Sequence, residues 1–268
     1  MVQEVDNPRL YGKAPFSVAV IHGGPGAPGH MAPVARELSD HIGVLEPLQT
    51  ADTIDGQVEE LVATLEQFSF LQATLIGSSW GAMLSYIVAA KYPSLVKKLI
   101  LVGSAVYEER YAEKILETRL ERLSEQEKRK AKSLMDSLGD NPTISDKDGY
   151  LARLGRLFTK ADVYNPITLN TEDLEVQYHI YERVWSEAVN LRRTGALLRL
   201  GSRIRCPVVA VHGDYDPNPP EGVREPLSWV VEDFRFVLLK NCGHLPWIES
   251  EAKEPFFKVL REELRLSG

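Results

Sequence analysis

The sequence is poor in cysteine and has no long hydrophobic run, and each deficit excludes a class of protein. Only Cys206 and Cys242 occur among the 268 residues. Two cysteines are too few for a disulfide framework and these two are too far apart for a zinc-ligand pair, so we expect small, reduced, apolar side chains. No apolar stretch approaches the roughly 20 residues that a membrane-spanning helix needs.

The N-terminus and the charge balance narrow the set of partners further. Residues 1–7 lack the basic and apolar regions of a signal peptide, so we expect the protein in the cytoplasm and not at a membrane. The formal net charge of −7 attracts neither phosphate backbones nor anionic lipid, and we expect no nucleic-acid partner. The composition, 44% hydrophobic and 26% charged, is that of an ordinary globular protein and indicates no oligomeric state.

Short β-branched runs alternate with helical patterns through most of the chain. The predicted strands are Ser17–Ile21, Ile42–Pro47, Ala73–Gly77, Val96–Val102, Pro207–His212 and Phe234–Leu239. Most are apolar at consecutive positions, which is typical of strands covered on both faces. Helices are predicted over Pro33–Ser39, Asp55–Phe68, Gly81–Tyr92 and Glu249–Leu266. This alternation predicts a parallel sheet with helices on both faces.

The interval from about Ala105 to about Arg203 contains no convincing strand. Helices are predicted there over Glu108–Arg122, from a capping box at Ser124 to about Gly139, over Ser145–Phe158 and over Thr171–Arg193. We therefore predict a helical cap over residues 105–203, inserted into a core formed by residues 1–104 and 204–268.

The pentapeptide Gly77-Ser78-Ser79-Trp80-Gly81 lies between a predicted strand and a predicted helix. Small residues cluster in turns of many kinds, so the pattern alone is a weak signal. At a strand-to-helix corner, however, a sharp turn strains the backbone of Ser79, and glycines two positions away relieve the crowding. The turn would raise the Ser79 hydroxyl above the sheet edge where open α/β folds bind ligands. We predict that Ser79 is a nucleophile.

A serine nucleophile needs a base to remove its proton and an acid to orient that base. In this fold both follow the serine along the chain, acid first, each in a loop after a core strand. Asp214 and Asp216 follow the fifth predicted strand, and His244 follows the sixth. We predict that His244 is the base and that one of these aspartates, with Asp216 the first choice, orients it.

Attack on a carbonyl also creates an oxyanion, which needs backbone N–H donors already in place. The amide of Trp80, directly after the nucleophile, is one candidate. The glycine-rich loop after the first strand, His22-Gly23-Gly24-Pro25-Gly26, lets the backbone approach a substrate closely. Gly24 is the first choice for the second donor, with Gly23 next.

Four motifs together resemble the α/β-hydrolase fold, and most of all its proline iminopeptidase branch. They are HGGPG at 22–26, GxSWG at 77–81, HGxxDxxP at 212–219 and GHxPWxE at 243–249. The resemblance covers about Phe16–Ala105 and Arg205–Leu266, and the cap matches in position and helical character. The family spacing Gly-x-x-Asp favours Asp216 over Asp214 as the orienting acid.

The resemblance also implies details of the fold. Only about 15 residues precede the first predicted strand, where the family usually has two further strands. We therefore expect an α/β-hydrolase fold with an N-terminally shortened, mainly parallel sheet of about six strands, all six parallel. No metal-ligand pattern and no Gly-x-Gly-x-x-Gly after a strand is present, so we expect no metal and no cofactor.

The resemblance implies a serine hydrolase that cleaves a small peptide or aminoacyl amide through an acyl-enzyme. Iminopeptidases hold the substrate's ammonium with acidic side chains, largely from the cap, which makes Glu182 and Glu187 candidates, with Trp185 between them and Gly23 as a further substrate contact. The alternative is a carboxylesterase or lactonase for small apolar acyl compounds, favoured if both carboxylates point away from Ser79. A non-catalytic ligand receptor on the same fold is a third hypothesis.

Overall fold

Seven strands form one sheet in the computed structural model, which describes residues 7–69, 72–140, 145–169 and 175–266. The order across the sheet is β1-β3-β2-β4-β5-β6-β7. The strands are β1 (Arg9–Tyr11), β2 (Phe16–Ile21), β3 (Gly43–Glu46), β4 (Ala73–Ser78), β5 (Val96–Val102), β6 (Val208–Gly213) and β7 (Phe234–Leu239). Strands β2 to β7 are parallel, and β1 is antiparallel to β3. The prediction of a mainly parallel α/β sheet is confirmed.

Strand β1 corrects the expectation of six strands that are all parallel. It is only three residues long, so it is too short to show a period-2 pattern in the sequence. It lies at the sheet edge beside β3, where the Tyr11 hydroxyl donates a 2.7 Å hydrogen bond to the buried Glu46 carboxylate. This contact between side chains 35 positions apart is invisible to local pattern analysis.

Alternate residues of the central strands pack into two hydrophobic cores, one on each face of the sheet. On β2, for example, Ala19 and Ile21 belong to one core and Val18 and Val20 to the other. Every residue of β4 is buried. The continuous apolar runs in the sequence follow from this burial on both faces.

Ten α-helices occur in the described residues. They are α1 (Ala32–Ser39), α2 (Ile54–Phe68), α3 (Trp80–Lys91), α4 (Ile115–Glu121), α5 (Glu125–Asp140), α6 (Lys147–Asp162), α7 (Tyr178–Arg193), α8 (Ala196–Arg199), α9 (Glu221–Val230) and α10 (Lys253–Leu264). Helix α3 is buried on all sides because it packs on the middle of the sheet, directly after β4. None of these helices is long and apolar enough to cross a membrane.

Helices α4 to α8 occupy the interval between β5 and β6, which contains no strand among its described residues. We call residues 105–203 the cap; its exact boundaries stay a prediction. The capping box is present. The backbone N–H of Ser124 donates to Glu127 Oε2 at 3.1 Å, and the backbone N–H of Glu127 donates to Ser124 Oγ at 3.4 Å. The start of the predicted helix Thr171–Arg193 lies outside the described residues, and α7 begins at Tyr178. A separate hydrophobic cluster joins α5, α6 and α7.

Helix α9 was not predicted, because prolines at 217, 219 and 220 directly precede it and Pro226 interrupts it. Pro226 lies inside the helix and has no N–H to donate to the carbonyl of Gly222, four residues earlier. That carbonyl instead accepts a 3.1 Å hydrogen bond from the N–H of Tyr107. A partner from the segment after β5 thus satisfies the acceptor that the proline leaves free.

Candidate active site

Ser79 lies on a strained corner between β4 and α3. Its backbone has φ 53° and ψ −112°, in the region that side chains with a Cβ rarely adopt. A Cβ on Gly77 would lie 2.2 Å from the carbonyl oxygen of Gly81, and one on Gly81 would lie 2.3 Å from that of Ile21. Both flanking positions therefore require glycine, and the corner has the geometry that the pentapeptide predicts.

Asp216 and His244 are hydrogen-bonded to each other, in loops that follow β6 and β7. His244 Nδ1 lies 2.7 Å from Asp216 Oδ2, and both residues are buried. Asp216 Oδ1 accepts bonds from the backbone N–H of Asn218 at 2.9 Å and from its side-chain amide at 3.0 Å. Asp214 faces other groups: its Oδ1 accepts from the N–H of Cys242 at 3.3 Å.

The charges of this pair support an ionised acid and a basic imidazole. Burial alone would raise the pKa of Asp216, but His244 and His212 beside it and the bonds from His244 and Asn218 hold that pKa well below its usual range. Burial alone would lower the pKa of His244, and the Asp216 carboxylate reverses this and raises it. An ionised Asp216 accepts a hydrogen bond from Nδ1–H, which leaves the lone pair of His244 Nε2 free to act as base.

Gly103, directly after β5, is where the three loops meet. The N–H of Ser79 donates to the carbonyl of Val102 at 2.9 Å. A Cβ on the next residue, Gly103, would lie 3.2 Å from His244 Nδ1 and 3.3 Å from Asp216 Oδ2. Ser79 is therefore hydrogen-bonded to the last residue of β5, and the Asp216–His244 pair packs against Gly103, the residue that follows β5. Gly103 belongs to no sequence motif, and its positive φ of 49° is the feature that marks it as a close-approach position.

The Ser79 hydroxyl forms no hydrogen bond with any described residue, His244 included. Hydrogen bonds between nucleophile and base are often long without substrate and shorten in the reacting complex. The structure thus brings Ser79, Asp216 and His244 to one edge of the sheet and joins the last two directly.

Candidate oxyanion donors lie in two segments close to Ser79. As the first residue of α3, Trp80 has an N–H without an intrahelical acceptor. The loop after β2 passes on the other side, where a Cβ on Gly23 would lie 3.2 Å from Ser79 Cβ. The N–H groups of Gly23 and Gly24 donate to no backbone carbonyl among the described residues. Gly23 thus lies next to the nucleophile, and the N–H groups of Gly23, Gly24 and Trp80 have no backbone acceptor in the described part of the chain that would occupy them. The choice between Gly23 and Gly24 as oxyanion donor stays open.

The cap contacts this site at two places. The N–H of Gln177, just before α7, donates to the carbonyl of Gly26 in the glycine-rich loop at 2.7 Å. At the end of α6, the carbonyl of Asp162 accepts a 2.8 Å bond from the N–H of His244. The Asp162 carboxylate also pairs with Arg119 through two hydrogen bonds of 2.8 and 2.6 Å. A partly buried cap ion pair therefore lies beside the predicted base.

The three cap residues predicted to contact substrate have other roles in the structure. Glu182 and Glu187 are both exposed. Glu182 accepts a bond from the Tyr178 hydroxyl at 2.9 Å, and Glu187 accepts one from the N–H of Ile54, at the start of α2, at 2.8 Å. Trp185 packs on the core beneath the cap. An exposed carboxylate is hydrated, so neither glutamate provides the water-excluded anion that holding an ammonium needs.

Three further histidines lie near the site. His22 Nδ1 donates to the carbonyl of Gly23 at 2.9 Å and Nε2 accepts from the N–H of Gln49 at 3.2 Å, and burial lowers the pKa of His22 to about 4. His212 Nε2 donates to the carbonyl of Asn218 at 2.9 Å. His30 lies beside Gly23 and edge-on to the Trp247 ring, and burial lowers its pKa to about 4. His22 and His212 thus hold the backbone of the site loops.

No group of three or more His, Cys, Asp or Glu side chains that could hold a metal ion occurs within the part of the chain that the structure describes.

Comparison with known proteins identifies the family of the fold. The family model of the alpha/beta hydrolase fold matches residues 47–251, more than half of the chain. A proline iminopeptidase of Lactobacillus delbrueckii subsp. lactis is similar over 87% of this chain and 85% of its own length, with 22% identity.

Solved structures share the whole architecture at low identity. VinJ is similar with a TM-score of 0.65 and 19% identity, over 96% of this chain and 94% of its own. The meta-cleavage product hydrolase of Pseudomonas fluorescens has a TM-score of 0.65 and 17% identity, over 97% and 93%. The monoacylglycerol lipase of Paleococcus ferrophilus has a TM-score of 0.60 and 15% identity, over 96% and 97%. The chain therefore belongs to the alpha/beta hydrolase fold family, and it is a hydrolase.

Proposed function

We propose that the protein is a serine hydrolase that cleaves small acyl esters through an acyl-enzyme, with Ser79 as nucleophile, His244 as base and Asp216 as the orienting acid. The observation that carries this proposal is the 2.7 Å bond between His244 Nδ1 and Asp216 Oδ2, beside a serine held at positive φ. This bond orients the imidazole so that the free lone pair of Nε2 points away from Asp216. The lone pair can then accept the Ser79 proton.

The reaction has two steps on these residues. His244 Nε2 takes the proton of Ser79 Oγ as Oγ bonds to the substrate carbonyl carbon, and the carbonyl oxygen gains the negative charge. The N–H groups of Trp80 and of Gly24 or Gly23 stabilise that charge. The tetrahedral intermediate collapses, the bond to the leaving group breaks, and His244 gives its proton to the leaving oxygen. A water molecule then attacks the acyl carbon as His244 takes its proton, the bond from that carbon to Ser79 Oγ breaks, and His244 returns the proton to Oγ.

An ester substrate is favoured because the buried carboxylates already have partners. The buried acids among the described residues are Glu46, Asp162, Asp216 and Glu249. Glu46 accepts from Tyr11, Asp162 pairs with Arg119, and Asp216 holds His244. Glu249 accepts three backbone N–H groups. An ammonium in a dry site needs a carboxylate of its own, and none of these is free for it.

A peptide or aminoacyl amide with a free N-terminus is the second candidate. The proline iminopeptidase of Lactobacillus delbrueckii supports it, with 22% identity over most of both chains. This candidate requires an acidic group that becomes available to the substrate's ammonium.

A chromogenic substrate panel tests both candidates. We expect hydrolysis of p-nitrophenyl esters of short acids and little hydrolysis of prolyl p-nitroanilide; the reverse pattern would replace the ester proposal with the aminoacyl amide. Ser79→Ala should lower kcat by about 10⁴-fold or more. Its neighbour gives a matched control: the Ser78 hydroxyl is buried without a partner among the described residues, so Ser78→Ala should keep kcat. Equal loss in both variants would contradict the assignment of Ser79.

A further inference from the structure

Glu249 is a fully buried carboxylate whose partners are backbone N–H groups. Its exposed fraction is 0%. Oε1 accepts from the N–H of Gly243 and of Tyr164, each at 2.7 Å, and Oε2 accepts from the N–H of Asn165 at 2.7 Å. Hydrogen bonds to a charged acceptor are the strong ones, and three of them compensate for burying the charge without a cation.

The three donors come from two parts of the molecule. Gly243 directly precedes the proposed base His244, whereas Tyr164 and Asn165 follow α6 in the cap. The Glu249 carboxylate therefore joins the cap to the backbone that carries the base.

Neighbouring hydrogen bonds extend this junction in both directions. The backbone N–H of His244 donates to the carbonyl of Asp162 at 2.8 Å. The N–H of Ile167 donates to the carbonyl of Ile248 at 2.7 Å, and the N–H of Ser250 donates to the carbonyl of Asn165 at 2.9 Å. Residues 162–167 thus lie along residues 243–250 like a short added strand. We call this arrangement the cap–loop junction.

The junction leaves no space beside the base. A Cβ on Gly243 would lie 2.1 Å from the carbonyl oxygen of Asp162 and 2.8 Å from Glu249 Oε1. The peptide that leads into His244 is therefore packed closely against both the cap and the Glu249 carboxylate.

We propose that Glu249 is a positioning residue for catalysis: it fixes the Gly243 peptide against the cap and so holds His244 in hydrogen-bond contact with Asp216. The inference rests on the proposed role of His244. It assigns a function to Glu249, the last residue of the GHxPWxE motif, which is neither the nucleophile nor an oxyanion donor. Glu249 acts through His244 and does not contact the substrate.

Glu249→Gln tests the role with minimal change of shape. The amide oxygen can keep the bonds from Gly243 and Tyr164, but the amide N–H₂ then faces the N–H of Asn165, donor against donor. The cap side of the junction is weakened. We expect kcat for p-nitrophenyl acetate, expressed per active site from burst titration, to fall by about 10- to 100-fold with KM little changed, because small misplacement of a catalytic group has costs of this order.

The pH profile provides a readout that a purely structural role would not move. Contact with Asp216 raises the pKa of His244, while burial lowers it. Loosening that contact in Glu249→Gln should move the acid limb of kcat/KM to lower pH. Glu254→Gln is the matched control, because Glu254 is an exposed acid on α10 whose partner is Arg261. It should keep the wild-type kcat and pH profile.

The outcomes separate this inference from the proposed function. A wild-type protein with no burst and no turnover would remove the proposed function itself. A wild-type protein that turns over, with a Glu249→Gln variant of unchanged kcat per titrated site and unchanged acid limb, would overturn the positioning role. A variant that merely has fewer titratable sites, each with wild-type kcat, would overturn it equally, since that result indicates folding alone. Glu249→Asp, which keeps the charge, should recover part of the loss.

Discussion

The two charges of the partly buried ion pair Arg119–Asp162 are predicted to shift the pKa of the proposed base in opposite directions. The Asp162 carboxylate raises the pKa of His244 and the Arg119 guanidinium lowers it. Arg119→Met removes the positive charge, so the pKa of His244 should rise and the acid limb of kcat/KM should move to higher pH. Asp162→Asn should move the same limb to lower pH.

The stability cost follows from burial. The side chain of Asp162 is 6% exposed and that of Arg119 is 24% exposed. Removing one partner of a buried pair costs about 3–5 kcal/mol, because the other charge stays buried and uncompensated. The exposed quarter of Arg119 admits water, so the expected cost of Arg119→Met lies at the lower end of this range, at about 3 kcal/mol. In the double variant no charge remains unpaired, so its cost should be at least about 1 kcal/mol less than the sum of the single variants.

Two measurements test this pair. Urea unfolding of the four proteins gives the double-mutant cycle, and pH–rate profiles of the single variants give the acid limbs. Additive unfolding free energies, or acid limbs that move in the same direction, would refute the reasoning.

Three further predictions follow from single contacts. Gly103→Ala should abolish most turnover, because Gly103 has a positive φ and a Cβ there would lie 2.7 Å from the carbonyl oxygen of His244. Steady-state kinetics test this prediction, and full activity would contradict it. Glu187→Gln removes the negative charge that accepts a hydrogen bond from Ile54 at the N-terminus of α2. It should lower the free energy of unfolding by about 0.3–1 kcal/mol and leave kcat/KM unchanged. A large rise in KM would instead show that Glu187 contacts the substrate. Burial holds the pKa of His22 at about 4, below its unfolded value of about 6.5, so the unfolded state binds more protons between these values. The contribution of His22 to stability should therefore fall by about 3 kcal/mol as pH drops from about 6.5 to about 4. Urea titrations across that pH range measure the loss, and His22→Gln should remove the His22 share while the share of His30, whose pKa burial also lowers to about 4, remains.

The strands and the site loops could be predicted because their signals are local. All six predicted strands are present, since burial on both faces leaves continuous apolar runs. The Ser79 corner is encoded by glycines that are within two positions of it, where any Cβ would collide with the backbone. The loops of Asp216 and His244 come together because parallel strands present their carboxyl ends at one edge of the sheet.

The missed features depend on contacts that are distant in sequence. Strand β1 is paired with β3, about 35 residues later. Helix α9 tolerates Pro226 because Tyr107 satisfies the carbonyl of Gly222. The bonds of Glu249 reach residues 84 and 85 positions away. The role of Glu182 and Glu187 was inferred from a family resemblance, and the exposure that argues against it is a property of the fold. The cytoplasmic location and the absence of nucleic-acid and membrane partners stay predictions.

Trapping the acyl-enzyme tests the central claim most directly. Wild-type protein mixed with p-nitrophenyl acetate and quenched with acid during the burst should carry one acetyl group per chain, which peptide mass spectrometry should place on Ser79. His244→Ala should carry none on the same timescale. An acetyl group on another residue, or steady turnover with Ser79 unmodified, would contradict the account.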